Sequence, residues 1–377
     1  MADILSIGGE PIFDERIVGI ETHTYNPYVN TTFGHNDEIR IPIQQQDLYT
    51  LPCDSFLYVE GRLYDDGAGA TTSEATDAQR QYAKLVNNCV AFMFDEIRYE
   101  LDGVEIDRCR NVGITSTIKN YASLTAERAR RLQNAGWSYP TNESNLNDAS
   151  RQFNFCVPLN ILLGFCEDYR RVVINARHEL ILIRARNDVN CVVDPKKTVP
   201  RDPAKNPKIT LLKSTTKHSW AVKAGPQLEK PRYVIFALQT GRRNEFTEDS
   251  SRFDHCALAN VKLYLNSEFY PYDNVNADFE SDKFAVLYEM YAKFRGAYYG
   301  DSRDDALFSP REFARVAPLV VIDCSRQNEA VKSATVDVRI EFECKENVPP
   351  KTTAFCLIVH DRVIEYGPLT NVVRKII

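Results

Sequence analysis

Short runs of alternating apolar and polar residues recur along most of the chain. In the clearest run, residues 336–343, Val336, Val338, Ile340 and Phe342 alternate with charged residues. A period of two places the apolar side chains on one face, as in a strand with one buried side. Such runs, together with short β-branched and aromatic stretches, predict strands at Ile17–Tyr25, Glu38–Ile43, Phe56–Tyr64, Cys89–Phe94, Ile97–Leu101, Phe153–Val157, Val172–Ala176, Glu179–Arg184, Lys208–Leu212, Trp220–Lys223, Tyr233–Gln239, Val261–Leu265, Leu319–Asp323, Val336–Phe342, Thr353–His360 and Val363–Tyr366.

Three segments predict helices. Ile118–Gln133 contains Ala, Leu, Arg and Glu without a breaker, and Gly136 follows it as a stop signal. In Ser281–Arg295 the apolar residues recur at steps of three and four, with Ser281 as the expected N-cap. A short helix is expected from Ser309 to Val316, because proline at 310 suits a first helical position. Strands outnumber helices, so the predicted fold class is all-β, built of stacked antiparallel sheets.

The two halves of the chain share one order of elements. Residues 97–106 read as strand, Asp-Gly turn and strand, and residues 261–270 give the same pattern with Asn-Ser at the turn. In each half a helix follows, and then further strands. The two patterns lie 164 residues apart, since 261 − 97 = 164. The order predicts two copies of one β-domain in tandem.

A segment rich in proline and lysine marks the expected junction between the copies. Residues 194–208 contain four prolines and five basic residues, and proline removes a backbone donor and fixes φ. We therefore predict a first domain with an N-terminal arm over residues 1–205 and a second domain over 206–377. Residues 65–79 and 139–150 are polar and are expected to be loops.

Composition and charge narrow the possible functions. The net charge is −6, which gives no electrostatic drive toward nucleic acid or anionic lipid. No run approaches the length of a membrane span, and the first residues lack the pattern of a leader. The ten cysteines form no C-x-x-C pair and no cluster with zinc spacing, so we interpret them as reduced and mostly buried.

The candidate catalytic groups are weak. Asp254-His255 is the most suggestive pair, but no Gly-x-Ser-x-Gly motif accompanies it, and a hydrogen-bonded structural histidine is the usual explanation. Glu341 and Glu343 share one strand face, as paired glycosidase carboxylates do, although the solvated side of an alternating strand explains them equally well. We predict no enzyme activity, no catalytic residue, no cofactor and no metal site.

One aromatic cluster is a candidate interface between subunits. It consists of Tyr288, Tyr291, Arg295, Tyr298 and Tyr299, on and just after the second predicted helix. Aromatic and arginine side chains can seed a protein interface or stack on bases, and they can also pack one helix against its own domain. The acidic net charge makes nucleic acid the weakest of these three interpretations.

Several segments resemble one family of viral proteins. They are Pro231–Gly241, Asn260–Tyr272, Tyr288–Tyr291, Pro318–Glu329 and His360–Tyr366. These segments are similar to the double jelly-roll major capsid proteins of Polinton/Maverick- and adintovirus-like elements, in the lineage of adenovirus hexon and virophage capsids. The resemblance is closest over residues 150–377, and 318–329 is its most specific part. A longer insertion of the family is replaced here by the short segment at 194–208, which puts an outer tower in doubt.

The resemblance implies two eight-stranded antiparallel jelly rolls with a few short helices in inter-strand loops. It also implies homotrimers that form pseudo-hexagonal capsomers of an icosahedral shell. The expected partners are other copies and minor or penton capsid proteins. The expected location is the virion, after synthesis in the host cytoplasm and assembly there or in the nucleus. The alternatives are a domesticated capsid-like protein, a carbohydrate-binding β-sandwich and a hydrolase that uses Asp254 and His255.

Overall fold

The computed structural model describes residues 19–28, 33–44, 49–63, 84–139, 152–173, 176–193, 215–222, 231–266, 268–300, 305–326 and 336–376. Its strands and helices fall into two groups, which we call the first repeat (38–193) and the second repeat (217–360). The first repeat contains β1 Glu38–Ile43, β2 Phe56–Arg62, β3 Lys84–Leu85, α1 Cys89–Phe92, β4 Phe94–Leu101, β5 Val104–Arg110, α2 Val112–Ser123, α3 Ala126–Arg131, β6 Gln152–Pro158, α4 Gly164–Asp168, β7 His178–Arg184 and β8 Val192–Val193.

The second repeat has the same kinds of elements, and a hairpin follows it. Its elements are β9 Lys217–Val222, β10 Pro231–Thr240, β11 Leu258–Leu265, β12 Glu268–Tyr270, α5 Ala285–Tyr299, α6 Pro310–Val316, β13 Val320–Asp323, β14 Val338–Cys344 and β15 Thr352–His360, and the C-terminal hairpin is formed by β16 Val363–Gly367 and β17 Val372–Ile376.

The two repeats pair their strands in the same order. One sheet runs β1-β7-β4-β5 in the first repeat and β9-β14-β11-β12 in the second, and every neighbouring pair is antiparallel. The opposing strands follow the same plan, because β2 pairs with β6 as β10 pairs with β13. In the second repeat β15 also pairs with the free side of β10. The predicted tandem arrangement of two antiparallel β-domains is confirmed.

The match between the repeats extends to single residues. The hairpin β4–β5 and the hairpin β11–β12 lie 164 residues apart along their whole length. A bulge interrupts the ladder between Phe94 and Glu96, and the second repeat has its bulge between Leu258 and Asn260, again 164 residues later. Since a bulge re-aims the strand that carries it, two bulges at one equivalent position give the two sheets the same twist.

The alternating pattern explains how each sandwich closes. In β14 the side chains of Val338, Ile340 and Phe342 are buried, whereas Arg339 is exposed. Phe342 meets Phe236 of the opposing strand β10, with ring centroids 5.0 Å apart. Large apolar side chains from two sheets therefore fill one core, which supplies most of the stabilisation.

Three strand predictions are wrong or incomplete. Residues 89–92 form helix α1 instead of a strand, because the run is buried on all sides and has no period that separates helix from strand. The amide of Asn88, just before α1, donates to the hydroxyls of Ser116 and Thr117 at 2.8 and 3.0 Å and holds this turn against α2. Residues 19–25 form no strand, and near 172–176 only a single bridge joins Val173 to Thr50.

Other predictions fall on residues that the structure does not describe. They are the strand at 208–212, the loops at 65–79 and 140–150, and the junction at 194–208. The boundary between residues 205 and 206 therefore stays a prediction.

The helices begin and end differently from the predicted bounds. The helix expected at 118–133 starts earlier, at Val112, and breaks at Leu124, where Thr125 caps α3 by accepting from the Arg128 amide at 3.1 Å. The helix expected from Ser281 begins at Ala285 and runs to Tyr299. Hydrophobic spacing alone does not separate a helical turn from the loop that leads into it.

The short helix α6 begins as predicted. Ser309 lies at its N-cap and Pro310 at its first position, and the carboxylate of Glu312 accepts from the Ser309 amide and hydroxyl at 3.0 and 2.7 Å. These hydrogen bonds lower the pKa of Glu312. We expect Glu312→Ala to lower the free energy of unfolding by roughly 1 kcal/mol. Urea denaturation measures this change, with the exposed neighbour substitution Arg311→Ala as control; an equal loss in both variants would contradict the capping role.

Candidate functional site: the contact between the two repeats

Helix α5 lies between the sheet β13-β10-β15 and the first repeat. Leu287, Tyr291 and Phe294 recur at steps of four and three and are buried on its inner side. Phe294 and Tyr298 pack on Tyr233 of β10, with ring centroids 5.0 and 5.9 Å apart. The helix therefore covers the outer face of this sheet and turns its remaining aromatic side chains toward the first repeat.

Tyr291 joins the two repeats directly. Its side chain is only 1% exposed, and its hydroxyl donates to the Tyr121 carbonyl of α2 at 3.1 Å. The same hydroxyl accepts from the Phe308 amide at 3.2 Å, and the ring packs against Phe313 at 5.0 Å. Burial raises the pKa of Tyr291, which keeps the hydroxyl protonated and able to donate.

Tyr121 is the centre of the aromatic contact. Its ring meets Trp137, Tyr139, Phe253 and Phe308 edge to face, at centroid distances between 5.0 and 6.3 Å. Its hydroxyl donates to the Ser251 carbonyl at 3.0 Å. Edge-to-face pairs add stabilisation beyond the area they bury. Because Phe253 and Phe308 belong to the second repeat, the two repeats share one continuous core.

Polar contacts surround this aromatic core. The Tyr299 hydroxyl donates to Glu167 of α4 at 2.8 Å, and Lys119 of α2 forms an ion pair with the same carboxylate. Burial, and then the negative charge of Glu167, raise the pKa of Asp168 to about 6. Elsewhere on the rim, Arg252 donates to the Tyr139 hydroxyl at 3.2 Å. Side chains of both repeats thus satisfy one another where the core ends.

The C-terminal hairpin provides a second connection. Arg362, just before β16, donates to the carbonyl of Ile106 in β5 at 3.0 Å. Lys375 of β17 lies 3.7 Å from Glu105 of the same strand. The hairpin that follows the second repeat therefore lies against the edge strand of the first.

The structure places the predicted aromatic cluster mainly within the chain. Tyr291 is enclosed between the repeats, so it is not available to a second subunit and is reassigned to the contact inside the chain. The hydroxyl of Tyr288 donates to the Phe308 carbonyl at 3.0 Å. Tyr288, Arg295, Tyr298 and Tyr299 are half-buried, and their contact with another subunit stays a prediction.

Sequence reasoning missed the partners of this cluster. They are Tyr121, Trp137, Tyr139, Phe253 and Phe308. These residues lie in separate segments of the chain, and no spacing links them. Only their aromatic character, at positions flanked by turns or helix ends, could have drawn attention to them.

The suspected catalytic groups serve the fold. Asp254 accepts from Arg242 Nη2 and from the Thr240 amide, each at 2.8 Å. His255 stacks on Phe279 with ring centroids 4.6 Å apart, and its Nδ1 accepts from the Ala257 amide at 3.1 Å. Burial lowers the pKa of His255. No hydrogen bond of the structure joins the Asp254 carboxylate to the imidazole, so the pair has no dyad geometry.

The two glutamates of β14 also have ordinary partners. Glu341 lies 3.2 Å from Arg339, and Glu343 lies 3.4 Å from Lys217 of the neighbouring strand. Within the described ranges, no three histidine, cysteine, aspartate or glutamate side chains come together as a metal site. In the same part of the chain, the helices are too short or too polar to cross a bilayer.

The geometry defines the class of protein: two antiparallel jelly-roll sandwiches of equal topology, fixed side by side in one chain. The family model of the double jelly roll-like domain matches residues 83–205 and 200–364. The chain belongs to this double jelly roll-like family.

Solved structures share this fold. A protein chain of the Sputnik virophage aligns with a TM-score of 0.55 and 9% identity, covering 98% of this chain and 93% of that one. The mavirus major capsid protein gives 0.49 and 10%, with coverage of 97% and 94%, and the Faustovirus major capsid protein gives 0.46 and 9%, with 93% of both chains covered. At these identities the likeness concerns the fold. No curated protein sequence matches the chain.

Proposed function

We propose that the chain is a structural major capsid protein. The observation that carries this proposal is the tandem of two repeats with one register, fastened together by a buried aromatic core. Such a block presents similar surfaces at two places, as a subunit of a regular shell requires. The family membership supports it, as does the fold shared with a virophage chain.

The expected assembly follows from the two repeats. Three chains around a threefold axis would supply six similar sandwiches and form a pseudo-hexagonal capsomer, and capsomers would tile an icosahedral shell. Obligate contacts of this kind bury more than about 2,000 Å² per interface. Paired and covered strand edges protect the sandwiches from random edge-to-edge aggregation at high local concentration.

Partners and location follow from the same proposal. The chain would act in the virion, with other copies as its main partner and with minor or penton proteins at special positions. Its synthesis would take place in the host cytoplasm, with assembly there or in the nucleus. The net charge of −6 supports leaving genome condensation to a separate basic protein. In this role the chain has no enzyme activity and needs no cofactor.

Mass measurement in solution tests the proposal. The chain has a mass of 43.0 kDa, so light scattering after size exclusion should give a threefold multiple of that value. Negative-stain microscopy of the same fraction should show hexagonal capsomers or closed shells. A chain that stays monomeric at high concentration would contradict the proposal.

One observation favours carbohydrate binding as a second candidate. The rings of Phe269 and Tyr272 stack 5.7 Å apart beside β12, and these residues are 40% and 82% exposed. Lys262 lies over the Phe269 ring at 5.1 Å. Flat exposed aromatic rings with polar neighbours suit the apolar face of a sugar. Glycan-array binding that disappears in Tyr272→Ala would support this candidate, and an array without signal would remove it.

A further inference from the structure

Equivalent strands of the two repeats differ in what covers their outer side. Strand β10 directs Phe236 into its sandwich, so the alternate residues Tyr233, Ile235 and Ala237 point outward. All three are buried, at or below 5% exposure. Helix α5 covers Tyr233, as described above.

The first repeat closes over this outer side further along the sheet. Phe355 of β15 is the register partner of Ala237 and meets Phe253 at 6.4 Å. Phe253 in turn meets Tyr121 of the first repeat. The outer side of this sheet in the second repeat is therefore the side on which the other repeat lies.

Strand β2 occupies the same place in the first repeat, yet its outer side is open. It pairs with β6 as β10 pairs with β13, and Leu57 points into the core. Phe56 and Tyr58 point outward and are 49% and 54% exposed. Their register partners on β6 are Pro158 and Cys156, so two aromatic rings stand on a surface with little charge. We call these four residues the β2–β6 face.

The Tyr58 ring is held in place at this surface. Its hydroxyl donates to the carboxylate of Glu60 at 3.0 Å, two residues along the same side of the strand. A fixed aromatic ring loses little freedom when a partner covers it, and such side chains are typical anchors of protein interfaces. Exposed aromatic pairs on a strand otherwise invite nonspecific association.

We infer that the β2–β6 face binds the second repeat of another copy of this chain. Within one chain, the outer side of the second repeat lies toward a first repeat. The contact joins two different surfaces, so each chain retains one unused surface of each kind. Repeating the contact between chains joins them head to tail, and a suitable rotation closes the ring. The inference rests on the proposed capsid function and names one surface that this function would use.

A paired substitution tests the face. In the full-length chain, Phe56→Thr/Tyr58→Thr removes both rings while threonine keeps the preference for a strand. Sedimentation velocity across a concentration series should show a Kd for self-association raised roughly 30-fold or more, as for the loss of a hot spot. The control Tyr272→Thr removes an exposed aromatic ring of the second repeat outside the proposed face and should keep the wild-type Kd. An unchanged Kd in the paired variant would overturn the inference.

A crosslinking experiment keeps the test decisive if the paired variant folds poorly. A photoreactive phenylalanine analogue at position 58, in an otherwise unchanged chain, should give a covalent species of twice the chain mass. Peptide mapping should place the crosslink within residues 217–360 of the other copy. Crosslinks only within one chain, or only to the first repeat of another copy, would overturn the inference. A strictly monomeric wild type would overturn the proposed function as well, whereas intact trimers without this crosslink would overturn the inference alone.

Discussion

Tyr291→Ala is expected to lower the free energy of unfolding by about 3–5 kcal/mol, the range for removal of a large buried ring. The substitution deletes the packing against Phe313 and leaves a cavity between the repeats. It also leaves the Tyr121 carbonyl and the Phe308 amide without this hydroxyl as their partner. Urea denaturation followed by intrinsic fluorescence measures the change.

Two further variants separate the sources of this loss. Tyr291→Phe keeps the ring and removes only the hydroxyl, so we expect a smaller loss of about 1–3 kcal/mol. Tyr272→Ala removes a residue that is 82% exposed and should change stability by less than about 0.5 kcal/mol. If Tyr291→Ala were no more destabilising than Tyr272→Ala, the aromatic contact would not hold the repeats together.

Acidification is expected to weaken the first repeat through His178. Its imidazole is buried, with Nε2 2.7 Å from the Thr50 hydroxyl and Nδ1 2.9 Å from the Tyr99 hydroxyl. Burial lowers the pKa of His178 from 6.5 to about 4, and Asp102 opposes this shift only in part. Below pH 6.5 the unfolded chain therefore binds a proton that the folded chain does not, and stability falls until about pH 4. The loss from this group is roughly 3 kcal/mol.

A variant without the titrating group isolates this effect. The free energy of unfolding at pH 7 and at pH 4 should differ by roughly 3 kcal/mol more in the wild type than in His178→Gln. The comparison with a variant is necessary because Asp168, with its pKa raised to about 6, gains stability as the pH falls over part of the same range. An equal pH dependence in both proteins would contradict the role of His178.

Local patterns were sufficient for the hairpins and the repeat. The hairpins β4–β5 and β11–β12 were predicted from alternation around Asp-Gly and Asn-Ser turns, and their spacing of 164 residues predicted the tandem fold. Capping chemistry likewise predicted the start of α6. Such features depend on residues close together in the chain, so the sequence shows them directly.

Contacts between distant segments were not predictable in this way. Helix α1 was taken for a strand, because a short run buried on every side has no period to interpret. Tyr291 was expected at a subunit surface, and the structure encloses it against Tyr121, 170 residues away. The open outer side of β2 was also invisible, since its meaning depends on comparison with the covered strand β10.

The sequence by itself determined the class of fold, its duplication, and the absence of a recognisable catalytic motif, because periodicity and turn chemistry act over a few residues. The tertiary structure alone decided which aromatic side chains join the two repeats and which remain exposed. Burial depends on how whole sheets and helices pack, and that packing brings together residues whose separation along the chain carries no signal.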